Sequence, residues 1–235
     1  MEIKEINKSE IPSLMPLLSL KEAVLFPYMI MPVIVKRDFS INSVNQAIST
    51  DRLLFVTTQK NREHDEIDES KIFHTGCVGS ILKMQKLYDG KVKLLIQGIK
   101  KAKMTELEKR EDENFFLTTV SVSKEDESVE NTPEVEAVAN NIKNGMRHLI
   151  KNGETSIPGD ISGLMNDISD PARLAEMAVS HLGRSVELAQ SVLEASSVME
   201  KLTIVNDYIE KELEILSIQN SIKNRAKRKL GKTQK

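Results

Sequence analysis

Tryptophan is absent, cysteine occurs once, and aromatic residues make up 4% of the 235 positions. A single cysteine excludes an intrachain disulfide, and with His64, His74, His148 and His181 it shows no metal-ligand spacing. Cys77 stands between Gly76 and Val78 in a strand-like run, where it reads as a small core residue. So few aromatics leave little on which nucleotide bases could stack. No apolar run reaches the roughly 18 residues that cross a bilayer. The opening Met1-Glu2-Ile3-Lys4-Glu5 carries acids where a signal peptide has basic and apolar regions. A cytoplasmic location without membrane contact is expected.

Excess charge is missing too: the formal charge is −2, which gives no global field for attracting nucleic acid or an anionic membrane. No Gly-x-Ser-x-Gly elbow, His-Glu-x-x-His helix or Gly-x-Gly-x-x-Gly turn occurs. No catalytic, cofactor-binding or metal-ligating residue is therefore assigned, and the chain is read as a binding and connecting module. Gly231-Lys232-Thr233 matches the end of a phosphate-binding loop, but Ala226 stands where that loop needs its first glycine and a helix precedes it. The basic run Lys223, Arg225, Lys227, Arg228, Lys229, Lys232 and Lys235 reads first as solvated cations near a helix C-terminus. Nucleic-acid contact through Lys223–Lys235 is the second reading.

What is present is an ordinary globular balance, 40% hydrophobic and 29% charged, arranged with two different periods. Apolar runs of strand length occur at 17–20, 30–35, 53–58, 78–84, 92–96 and 116–122, separated by turn signals. Asp89-Gly90 predicts a tight hairpin turn, and Ser40 is the expected cap of one helix carrying Ile41, Val44, Ala47 and Ile48.

Acids then accumulate up to Asn131-Thr132-Pro133, and beyond them the period becomes helical. Val135, Val138, Ala139, Ile142, Met146, Leu149 and Ile150 form a stripe ended by Asn152-Gly153, and Asp170-Pro171 opens a second helix that ends at Gly183. A short helix at 185–195 precedes a long one from Ser197, with no Gly or Pro before Gly231. The expected class is α+β: a β-rich domain at 1–123, a linker at 124–133, a helical bundle at 134–196 and a connector helix at 197–235. That last helix is expected to continue past the end of the sequence.

Pro16-Leu17-Leu18-Ser19-Leu20-Lys21-Glu22-Ala23-Val24-Leu25-Phe26-Pro27, then Met31-Pro32-Val33 and Arg37-Asp38-Phe39-Ser40-Ile41, resemble the opening of the N-terminal domain of the ATP-dependent protease Lon. Val56–Lys60, Gly76–Leu82, Asp89–Lys93, Gly98–Ala102 and Asp170–Ala175 follow in the family's order and spacing. The chain departs from the pattern at Ser19, where the family often has proline, and at Tyr28 and Lys36, where it often has glycine.

The resemblance implies a barrel-like (PUA-like) substrate-binding domain, a helical bundle and a long helix. Beyond them it implies an ATPase module using ATP and Mg and a Ser-Lys peptidase module, assembled as a homohexamer. The implied role is recognition and positioning of misfolded, unfolded or degron-bearing proteins for ATP-dependent degradation.

Unfolded substrates expose apolar segments, which exposed and adaptable side chains can match. Two places supply them, the proline-bounded loop with Tyr28, Met29 and Met31 and the hairpin flank with Met84, Leu87 and Tyr88. The same residues could instead be core. Two other readings stay open: a free-standing PUA-like nucleic-acid or regulatory binding protein, and a scaffold whose long helix sets subunit pairing.

Overall fold

The computed structural model describes residues 11–63, 66–123, 132–152, 161–182 and 185–233. The opening pentapeptide, His64, residues 124–131 of the expected linker, and Gly153 and Gly183 as helix ends lie outside them. Contacts divide the chain into two compact units, Met1–Glu127 and Ser128–Lys235. The architecture is a mixed six-stranded sheet with six helices among the described residues, the last one long.

The first unit contains β1 (Leu14–Leu20), β2 (Ile30–Val35), α1 (Asp38–Ser49), β3 (Leu53–Thr58), β4 (Thr75–Lys86), β5 (Val92–Arg110) and β6 (Phe115–Val122). The strand order is β2-β5-β4-β3-β1-β6, and an added β5–β6 ladder closes five of the strands into a ring. β1 runs parallel to β3 and all other ladders are antiparallel.

Closure depends on the length of β5. Val92 to Gln97 pair with β2 on the edge where Ala102 to Arg110 pair with β6. The expected strand stopped at Ile96, before Gly98 and the lysines that follow. The strand continues because buried Ala102 and Met104 alternate with outward residues such as Lys103, a two-residue period that lysines on the wet face do not interrupt.

Two apolar clusters fill this unit. Leu18, Val44, Leu54, Val56, Cys77, Leu94 and Ile96 belong to one, and Met15, Leu17, Phe55, Ile72, Val78 and Met104 to the other. Helix α1 starts earlier than expected. Arg37 is the N-cap residue and offers no side-chain cap bond, Asp38 sits favourably in the first turn, and Ser40 is a buried interior residue. Ser40 turns inward with Ser43, Val44 and Ala47, so it packs rather than caps.

The second unit holds α2 (Pro133–Lys151), α3 (Ile161–Asp167), α4 (Pro171–Leu182), α5 (Val186–Glu194) and α6 (Val198–Thr233). Thr132 caps α2 with Pro133 following it, Asp170 Oδ1 accepts from the Ala172 N–H at 2.9 Å, and Ser185 caps α5. Helix α6 opens on a reciprocal box. Ser197 Oγ accepts from the Glu200 N–H, and the Glu200 carboxylate accepts from the Ser196 N–H.

Leu202, Val205, Ile209 and Leu216 bury one side of α6, while Ile215, Ile218 and Ile222 are exposed. Helix α3 is an addition to the expected elements, with Ile161 and Met165 buried in it. Helix α6 runs through Gly231 to Thr233, so residues 226–233 are helical and form no phosphate cradle.

Candidate functional site

The loop entering β2 is a tight turn. The Met29 N–H donates to Phe26 O at 3.2 Å, Pro27 occupies the second position, and Tyr28 takes the third with φ 62°. Proline then a positive φ is the type II pattern, in which glycine is the usual third residue. A tyrosine held there is strained, and the residue is 51% exposed.

Backbone bonds fix the turn against β5: the Tyr28 N–H donates to Gly98 O and the Gly98 N–H to Met29 O, both at 2.8 Å. A Cβ at Gly98 would stand 2.0 Å from Phe26 O, so the approach requires glycine. The buried Phe26 side chain anchors the turn from below.

Along β2 the side chains alternate. Met31 and Val33 are half-buried against the first core cluster and Val35 is buried, whereas Ile30, Pro32 and Ile34 face outward and are exposed. Register places Val33, Leu94 and Met84 in one row across β2, β5 and β4. Met84 is likewise half-buried against the core.

The β4–β5 hairpin lies at the far end of β2. The Gly90 N–H donates to Leu87 O, the Leu87 N–H to Lys91 O, and Gly90 has φ 80°, as the Asp-Gly pair predicts. Tyr88 at the tip is wholly exposed, and Leu87 is half-buried. A hydrogen bond from the Lys91 side chain holds the neighbouring Asp89 carboxyl below its ordinary range, with the Lys91 N–H adding to it.

The two expected clusters are therefore separate. Tyr28 and Met29 adjoin Gly98, whereas Leu87 and Tyr88 lie beyond Val92, roughly 20 Å away at about 3.3 Å per strand residue. Tyr28 and Tyr88 are surface groups. Met29, Met31 and Met84 have one side against the core, and Leu87 is half-buried at the hairpin base.

Between β1 and β2 lies a groove of about 580 Å³, lined by Leu18 to Ala23 on one side and Met31 to Arg37 on the other, with Ser40. Arg37 spans one end. Its guanidinium donates to Ser19 O at 2.6 Å, Ser19 Oγ at 2.9 Å and Gln59 Oε1 at 3.2 Å, and lies 4.9 Å from the Phe39 ring centre.

Arg37 and Ser19 belong to the family-like motifs without a role being evident from the sequence. The available signal was a guanidinium two residues after an apolar strand and two residues before an aromatic ring. Lys223 and Arg225 of the basic run are exposed on α6. Among the described residues, no group of three His, Cys, Asp or Glu could hold a metal ion.

Residues 15–211 match the family described as the ATP-dependent protease La (LON) substrate-binding domain. The chain is 37% identical over 232 residues to Lon protease 2 of Bdellovibrio bacteriovorus, covering 96% of this chain and 28% of that one. It is 34% identical to the Lon protease of Geobacter metallireducens, with 99% and 28% covered. The chain thus spans little more than a quarter of the length of these relatives.

Among solved structures, the N-terminal domain of Mycobacterium avium complex Lon protease aligns with TM-score 0.64 at 18% identity, over 84% of this chain and 98% of that one. The Lon N-terminal domain protein of Xanthomonas campestris aligns with TM-score 0.58 at 17% identity, over 82% and 96%. At those identities the likeness speaks for the fold.

Proposed function

The chain belongs to the Lon substrate-binding domain family, and from that premise we propose that it recruits unfolded or degron-bearing proteins and positions them for an ATP-dependent Ser-Lys peptidase. The peptidase, the ATPase with its ATP and Mg, a homohexameric assembly and a cytoplasmic setting belong to this proposal as properties of the whole protease. The free-standing nucleic-acid reading is not favoured, since the family matched is a protease's substrate-binding domain.

One observation carries the reading: Tyr28 is held exposed at φ 62° in a turn position suited to glycine. Backbone strain of this kind is kept where a site uses it, and here it holds a half-exposed tyrosine at the surface. Tyr88 offers a second exposed ring at the hairpin tip. Aromatic rings bind apolar segments with little loss of side-chain freedom, and half-buried methionines beside them adapt to varied partners.

Titration of the 235-residue chain with a reduced, alkylated protein tests this. Changing Tyr28 and Tyr88 together to Ser is expected to weaken binding by about tenfold or more, with the circular dichroism spectrum unchanged. Equal affinity would remove both tyrosines from the contact. No binding by the unaltered chain would overturn the recruiting role.

A further inference from the structure

Among the described residues, strand β2 is bonded on one side only. It pairs with β5, and the groove opens along its other edge. In an antiparallel ladder alternate residues turn their N–H and C=O towards the partner strand. Because the Gly98 N–H bonds to Met29 O, the ladder bonds fall on Met31, Val33 and Val35. Ile30, Pro32 and Ile34 therefore direct their backbone groups away from β5. The free edge offers two N–H donors, at Ile30 and Ile34, and three carbonyl acceptors.

Pro32 interrupts the donors, and β2 has only six residues. Both features guard an exposed edge against indiscriminate pairing. They leave room for a short pairing anchored at Ile30 and Ile34. The groove volume lies within the range that encloses a ligand of a few residues. Its walls offer half-buried Met31 and Val33 to an apolar side chain.

The charges around it are mostly of one sign. Lys21, Lys36 and Arg37 line the groove with Glu22, Lys93 is exposed on the adjoining strand β5 opposite Ile34, and Lys83 and Lys86 are exposed on β4 beyond it. Apart from Glu22, these groups favour an acidic partner.

The geometry points to strand addition: a short extended segment of a substrate protein, alternating apolar and acidic residues, pairs with the free edge of β2 and places its apolar side chains in the groove. Main-chain bonds supply affinity without regard to sequence, and the apolar walls with the cationic rim select among segments. Arg37 acts as a positioning residue by tying the start of α1 to the ends of β1 and β3. This inference rests on the recruiting role proposed above and names how one class of segment is held.

The test uses the 235-residue chain and a labelled decapeptide alternating valine and glutamate, followed by fluorescence anisotropy. Ile34→Pro removes a free-edge donor while the β2–β5 bonds remain, and Ile34→Val keeps that donor. Roughly five- to tenfold weaker binding is expected for Ile34→Pro, with Ile34→Val within about twofold of the unaltered chain. A folded Ile34→Pro chain that binds as well as the unaltered one would overturn strand addition.

If Ile34→Pro does not fold, amide exchange in the unaltered chain decides. The Ile30 and Ile34 amides should slow when peptide is added, and unchanged rates would overturn the inference. A valine–lysine peptide should bind about tenfold more weakly, and equal affinity would overturn the choice of an acidic segment. A chain that binds unfolded protein but neither peptide would lose this inference and keep the recruiting role. A chain that binds none of them would lose both.

Discussion

Gly98 and Phe26 approach so closely that a Cβ on the glycine would stand 2.0 Å from the phenylalanine carbonyl oxygen and 3.1 Å from the Cys77 sulfur. Gly98→Ala must push away the turn that presents Tyr28. We expect it to destabilise the first unit by about 3 kcal/mol or more in urea unfolding, at the upper end of overpacking costs. Gly163→Ala is the control: nothing lies within 4 Å of its Cβ position in α3, and replacing a helical glycine should stabilise by about 1 kcal/mol. Equal effects at the two sites would refute the close-approach argument.

Tyr28→Gly should separate stability from binding. Relief of a left-handed tyrosine is expected to raise stability by roughly 1 kcal/mol, while loss of the exposed ring weakens capture of unfolded protein. A variant that is less stable than the parent would show that the tyrosine ring, not strain, dominates at this turn.

In the helical unit, Lys201 Nζ lies 2.5 Å from Glu176 Oε1, joining α6 to α4 with both side chains under a tenth exposed. Lys201→Met takes the ammonium partner from a buried carboxylate and should cost about 1.5–3 kcal/mol, the range for a hydrogen bond to a charged group. The double change Lys201→Met with Glu176→Leu should recover most of that in denaturant melts. A double variant as weak as the single one would mean that packing, not charge, is what the pair supplies.

The Asp89 carboxyl, lowered chiefly by its hydrogen bond from Lys91, should titrate by NMR below an aspartate in an unstructured peptide. A depressed carboxylate contributes stability above its unfolded pKa, and that contribution is lost as pH falls through the folded value. The hairpin-tip contact therefore disappears only in acid. Lys91→Met should return the midpoint towards the ordinary range, and an unmoved midpoint would assign the shift elsewhere.

The strands and most helix starts were legible because period and caps are local properties. β2 and β3 have the bounds that their apolar runs define, and Asp170-Pro171 opens α4. Ser40 misled because a serine before an apolar stripe looks like a cap until α1 is seen to begin at Asp38.

The groove was not legible, since it exists only where β1 and β2 are brought side by side without pairing. Hints were nevertheless present. Ser19 and Lys36, two of the departures from the family pattern, line the groove, and Ser19 gives Arg37 a hydroxyl partner that proline would not supply. The third, Tyr28, occupies the strained turn at the opposite end of β2.

The shared strand β5 also limits how such a domain can change by insertion or deletion. Adding one residue between Gly98 and Ala102 would turn Ala102 and Met104 outward and carry Lys101 and Lys103 into the core. The same slip would break the β6 ladder while sparing β2. Descendants of this chain can therefore alter the identity of residues in β5 far more readily than their number, and length variation is expected at connections such as 111–114.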